Sequence, residues 1–170
     1  MIPEVKKKKA EKVLFQLLEI IDAIDWMEVV AVERGGTDVT VRVSRDVKGF
    51  FKMDLEKNQE IEIELKAIRI HNEFGNIRGN RFGLPSKQFE RYCDKEQDDD
   101  IRCAYLIGHA EDGDERARGV YFQWVSKLAE IRERKFGKAI ISEDEMYFHY
   151  DEEHKVDYRN IPVKFFGKLL

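Results

Sequence analysis

Glu64-Leu65-Lys66 is the triplet in this chain best placed to do chemistry. It lies in a stretch where Ile61, Ile63, Leu65 and Ala67 alternate with Glu62, Glu64 and Lys66. Period-two alternation reads as a β-strand, and side chains at i and i+2 of a strand point the same way. A carboxylate and an ammonium would then stand side by side over one sheet face. A second carboxylate, Asp38, opens another alternating stretch, with Val39, Val41 and Val43 on one face and Asp38, Thr40 and Arg42 on the other. If the two strands lie together, the two acids approach. Close carboxylates repel, hold protons more tightly and attract a divalent cation. Mg2+, or Mn2+ in its place, prefers such oxygen ligands and retains several waters. One of those waters, made more acidic, can attack phosphorus while the ion stabilises the growing charge. A neighbouring lysine can orient that water, act as its base or neutralise the charge. The competing reading is a solvent-facing row, Glu62, Glu64 and Lys66, making cross-strand ion pairs. Glu-x-Lys also begins at Glu4, Glu133 and Glu153, but only the triplet at Glu64 sits in an apolar strand.

The elements that must position these residues follow from periodicity. Leu14, Leu17, Leu18, Ile21 and Ile24 predict an amphipathic helix over 7–24. A hairpin follows: a strand over 27–32, a turn at Arg34-Gly35-Gly36 and a returning strand over 38–43. Residues 44–59 carry a weaker strand signal at 50–55, and 61–70 carry the strongest one in the chain. A glycine-rich loop is expected over 71–85, then a helix over 87–95 with Ser86 as its N-cap. Strands are expected at 101–110, which should be central, and at 120–125. A helix over 126–135, short strands at 140–141 and 146–150, and an apolar tail over 157–170 complete the chain. This order implies an α/β fold, a mixed central β-sheet flanked by helices. The length suits one domain over 1–170, with its core at about 7–125 and an extension over 126–170.

Helix, strand, an Asp-bearing strand, a strand with Glu-x-Lys, then a helix and an apolar strand resembles the PD-(D/E)xK, or restriction-endonuclease-like, nuclease superfamily. The likeness is greatest to its compact members, such as Holliday-junction-resolvase-like and restriction-related domains, and covers about residues 7–110. It implies a divalent-metal-dependent endonuclease that hydrolyses DNA, with Asp38 and Glu64 holding the metal and Lys66 assisting the nucleophile. Many members add a glutamate from the first helix; Glu19 is the candidate here and Glu11 its rival. The interval from Asp38 to Glu64 is longer than in the most compact members, which makes 44–59 an insertion, and no proline precedes Asp38.

A basic run lies beyond the triplet. Arg69, Arg78, Arg81 and Lys87 are candidates for nucleic-acid contact, since arginine and glycine-exposed backbone suit phosphate. An ordinary solvated loop is the equal alternative. The net charge of −4 argues against a general nucleic-acid coat but leaves room for a nuclease with local positive charge. No apolar run is long enough for a membrane span, and the first residues lack the apolar stretch of a secretory signal, so a cytoplasmic protein is expected. Cys93 and Cys103 match no zinc or redox spacing and read as reduced, partly buried thiols. His149 and His154 read as surface histidines, and His109 as a hydrogen-bonded strand-end residue. Tyr121, Phe122, Trp124, Tyr147, Phe148 and Tyr150 suit a packed core or a subunit interface, the latter compatible with a homodimer. The rival to the enzyme is a catalytically inactive protein of the same fold serving in assembly. An unrelated α/β domain with a charged sheet edge is the third reading.

Overall fold

The structure is a computed structural model and describes residues 9–33, 38–74, 77–98, 101–135 and 143–170. The first helix, α1 (Lys9–Ala23), carries its apolar residues at helical spacing and turns Val13, Leu17, Leu18 and Ile21 inward. Strands β1 (Met27–Glu33) and β2 (Asp38–Val43) form the expected antiparallel pair. The turn expected at Arg34-Gly35-Gly36 and the strand expected at 140–141 lie outside the described residues.

The segment before the Glu-x-Lys strand is a small hairpin of β3 (Val47–Phe50) and β4 (Met53–Leu55). Phe51 and Lys52 make its two-residue turn, both at positive φ (46° and 62°), the geometry in which the turn's twist matches that of its strands. Val47 and Leu55 anchor this insertion in the core. Strand β5 (Glu60–Ile68) follows and carries the triplet.

The described residues of 71–85 are not a loop. They form a second hairpin, β6 (His71–Phe74) and β7 (Ile77–Pro85), whose Phe82 and Leu84 are fully buried. Helix α2 (Ser86–Asp98) then leads to β8 (Arg102–His109). Ser86 is the first residue of α2, and its buried hydroxyl has no hydrogen-bond partner, so it does not cap the helix as expected. Strand β9 (Gly119–Trp124) runs into one helical turn, α3 (Val125–Leu128). The helix expected over 126–135 is instead this turn followed by strand β10 (Arg132–Lys135). Its charges alternate by side: Arg132 and Arg134 meet Glu145, while Glu133 meets Arg159. Strands β11 (Glu145–Asp151) and β12 (Val156–Pro162), a 3-10 turn (Val163–Phe165) and β13 (Gly167–Lys168) end the chain.

The fold is mixed α/β and rich in strands. One sheet has the order β1-β2-β5-β8-β9-β13, another β10-β11-β12-β7-β6. In the first, β5 and β8 are parallel and all other neighbours antiparallel. The parallel pairing follows from the long β5-to-β8 connection, which includes α2. As expected, β8 is central. Its alternation serves two cores: Ala104 and Leu106 join α1 and the valine faces of β2, while Cys103, Tyr105 and Ile107 join α2, α3 and the second sheet. The C-terminal strands belong to this body: β12 pairs with β7, β13 pairs with β9, and Ile161 and Phe166 enter the second core.

Candidate active site

The register of β2 against β5 places Asp38 directly opposite Glu64, where facing Cβ atoms stand about 5 Å apart. Because Val39, Ile63 and Leu65 enter the α1 core, alternation turns both acids to the α2 side of the sheet. Asp38 is 4% and Glu64 3% exposed. Lys66 brings its Nζ to 3.9 Å from Glu64 Oε1 and keeps 18% of its side chain exposed. The three residues expected at the centre therefore share one face. The alternative of a solvent-facing row does not hold, since Glu62 and Glu64 are buried.

A carboxylate taken out of water needs donors, and α2 supplies them. Gln88 Nε2 donates to Glu64 Oε1 at 2.8 Å, and the Tyr92 hydroxyl donates to Oε2 at 2.6 Å. The two donors are four residues apart and so lie on one helix face. Burial still prevails: it holds the Glu64 carboxyl above its usual range, against the pull of Tyr92, Lys66, Gln88 and Arg91. Burial also pushes the Lys66 ammonium below its usual range; Glu64 opposes this and Arg91 adds to it. The Tyr92 hydroxyl is raised by burial and by Glu64, which keeps it a donor. Beside this centre Glu62, 4% exposed, is ion-paired with Lys95. A 490 Å³ cleft lined by Glu60, Lys95, Ile101 and the turn at 56–59 opens at that end of the strand.

Among the described residues, no group of three or more His, Cys, Asp or Glu side chains is arranged to hold a metal ion. Two carboxylates suffice for Mg2+, which commonly takes one or two and fills its octahedron with water and substrate oxygens. Asp38 and Glu64 provide that pair. This donor set fits one divalent ion.

The other expected site residues fall elsewhere. Glu19 is exposed on α1, which packs on the opposite face of the sheet, so it is not brought to Asp38 and Glu64. The side chains of Glu11 and Arg78 lie outside the described residues. Arg81 is no phosphate ligand on a loop. It is 1% exposed, donates to the carbonyls of Glu145 and Asn160, and lies over the Tyr147 ring. Arg69 is exposed but paired with Glu111 and Asp112, beyond the end of β5. Lys87 is exposed on the first turn of α2. His109 meets Glu111 at the end of β8 and His154 meets Asp151 at the surface. Both cysteines are free thiols.

Sequence reasoning missed Gln88, Arg91 and Tyr92. Their spacing on an expected helix could be read, but nothing in it says which sheet face that helix covers. Compared with known families, with characterised proteins and with solved structures, the chain matches none.

Proposed function

We propose that this chain is a divalent-metal-dependent endonuclease of the restriction-endonuclease-like fold, hydrolysing phosphodiester bonds in DNA. One observation carries the reading: Asp38 and Glu64 are paired across β2 and β5 with Lys66 beside them, all facing α2. Asp38 and Glu64 would hold Mg2+ or Mn2+, and the ion would supply an acidified water and charge stabilisation at phosphorus. Lys66, its ammonium lowered by burial, is suited to orienting that water or taking its proton. Tyr92 and Gln88 hold Glu64 in place. A homodimer would supply two centres for two strands.

The test is cleavage of plasmid DNA with and without Mg2+ or Mn2+. The wild type should nick or cut only with the ion. Asp38→Asn and Lys66→Ala should each lower the rate at least about a hundredfold while the folded state persists by circular dichroism. Undiminished metal-dependent cleavage by Lys66→Ala rejects the assignment.

The second reading is a catalytically inactive protein of this fold acting in assembly. It is favoured by the depth of the two acids and by Glu64's satisfied oxygens. Absence of Mn2+ binding by calorimetry, together with a stable partner complex, selects it.

A further inference from the structure

Glu62 is the buried acid on this sheet face that the proposed chemistry does not use. It lies two residues before Glu64 on β5, so both side chains turn to α2. In the β2–β5 register it stands opposite Thr40 and diagonal to Asp38, and diagonal neighbours are about 7 Å apart at the backbone. Asp38, Glu62 and Glu64 are therefore buried side by side, each no more than 4% exposed. Such a row has the spacing to hold two divalent ions about 4 Å apart, with one carboxylate shared between them.

The Glu62 end of that row holds a cation of the chain's own. Lys95 brings its ammonium into direct contact with the Glu62 carboxylate, and Asp38 as well as Glu62 favours that charge. Lys95 follows Gln88 by seven residues and Tyr92 by three, so it issues from the helix face that grips Glu64. Glu96 is engaged elsewhere, accepting from the Cys103 backbone N–H at 3.2 Å. Charges across the interface then balance: Asp38, Glu62 and Glu64 against Lys66, Arg91 and Lys95. The Lys95 side chain is 36% exposed and lines the cleft at that end of β5, so the position is open to solvent ions. A divalent ion at Glu62 would have to displace an ammonium tethered to α2 or sit against it, where like charges repel.

We propose that Lys95 is a built-in cation in the second metal position. It neutralises Glu62 and limits the centre to one divalent ion, held by Asp38 and Glu64. The proposal deepens the nuclease reading and rests on it for that first ion. The exclusion at Glu62 stands on the ion pair itself.

The experiment counts Mn2+ ions on the full chain by calorimetry, at neutral pH and constant ionic strength. The wild type should bind about one ion. Lys95→Met, which keeps most of the side chain's length and removes its charge, should bind about two. Adding Glu62→Gln to Lys95→Met should return the count to about one, and Lys95→Arg, with the charge kept, should stay there. Circular dichroism checks each fold; if Lys95→Met is unfolded, Lys95→Gln, which still donates to Glu62, takes its place. A single ion on both wild type and variant makes the Glu62–Lys95 pair merely structural and overturns the proposal, as do two ions on the wild type. Either result leaves the Asp38–Glu64 metal centre standing. An ion on Lys95→Met that the wild type lacks, lost again with Glu62→Gln, keeps the exclusion and rejects the metal-dependent nuclease. No ion on either protein overturns both.

Discussion

Glu64 is held by two directed donors and a nearby ammonium, yet burial still raises its carboxyl above 4.5, its ordinary value. Between 4.5 and that raised value, the folded protein keeps a proton that the unfolded chain has already released. Stability of the metal-free protein should therefore fall as pH rises through that window. Glu64→Gln, whose amide oxygen still accepts from Tyr92 while its NH2 can donate to a flipped Gln88 amide, should flatten this segment of the curve. Melting temperatures of both proteins across acidic to neutral pH are the check. A divalent ion competes with the proton for the same oxygens, so Mg2+ should reverse the wild-type slope there. That Glu64 and Lys66 share a face was legible because alternation assigns it; that Asp38 stands opposite Glu64 was not, because alternation does not say which strands pair. Arg81 was misread because Gly79 and Gly83 interrupt the apolar pattern of β7, which made a buried strand look like a solvated loop.

The small hairpin of β3 and β4 shows how an element with only a weak sequence signal is fitted. Its turn residue Phe51 packs against Phe50 and Phe122, with centroids 4.8 Å away in each case. At Gly167, on the closing strand β13, an added Cβ would lie 2.1 Å from Phe51 Cε1. Gly167→Ala must displace that ring from packed neighbours, so a loss of about 1–3 kcal/mol is expected by urea denaturation. Gly167→Ala combined with Phe51→Leu should lose less than the sum of the two single changes, because the clash partner is gone. Sequence periodicity marked β1, β2, β5, β8 and β9 because each has a regular inward face. It failed over 126–135, where charges at helical spacing outweighed a short strand whose only apparent pattern is in its ion pairs. Tertiary pairing with β11 decides that segment.

Across the whole molecule, the chain carries a net charge of −4 while several of its arginines are used internally. Arg81 is buried, Arg159 is wedged between Phe89 and Phe148, and Arg69 is paired with acids. Of the cations expected to contact nucleic acid, Arg81 is thus withdrawn from the surface and Arg69 is shared with acids, which argues for a small contact. For about two phosphate contacts, raising salt from roughly 50 to 200 mM should weaken DNA affinity only about tenfold; fluorescence anisotropy on a labelled duplex in Ca2+ measures this. A loss of a thousandfold or more would mean an extended basic interface. Both hydrogen-bond donors to Glu64 ride on a single helix, at Gln88 and Tyr92, and that helix is also anchored by Phe89 in the second core. A tilt of α2 would thus release both grips on the acid together, so the centre behaves as a latch with one moving part, and its loosening should be cooperative with that of the neighbouring aromatic layer.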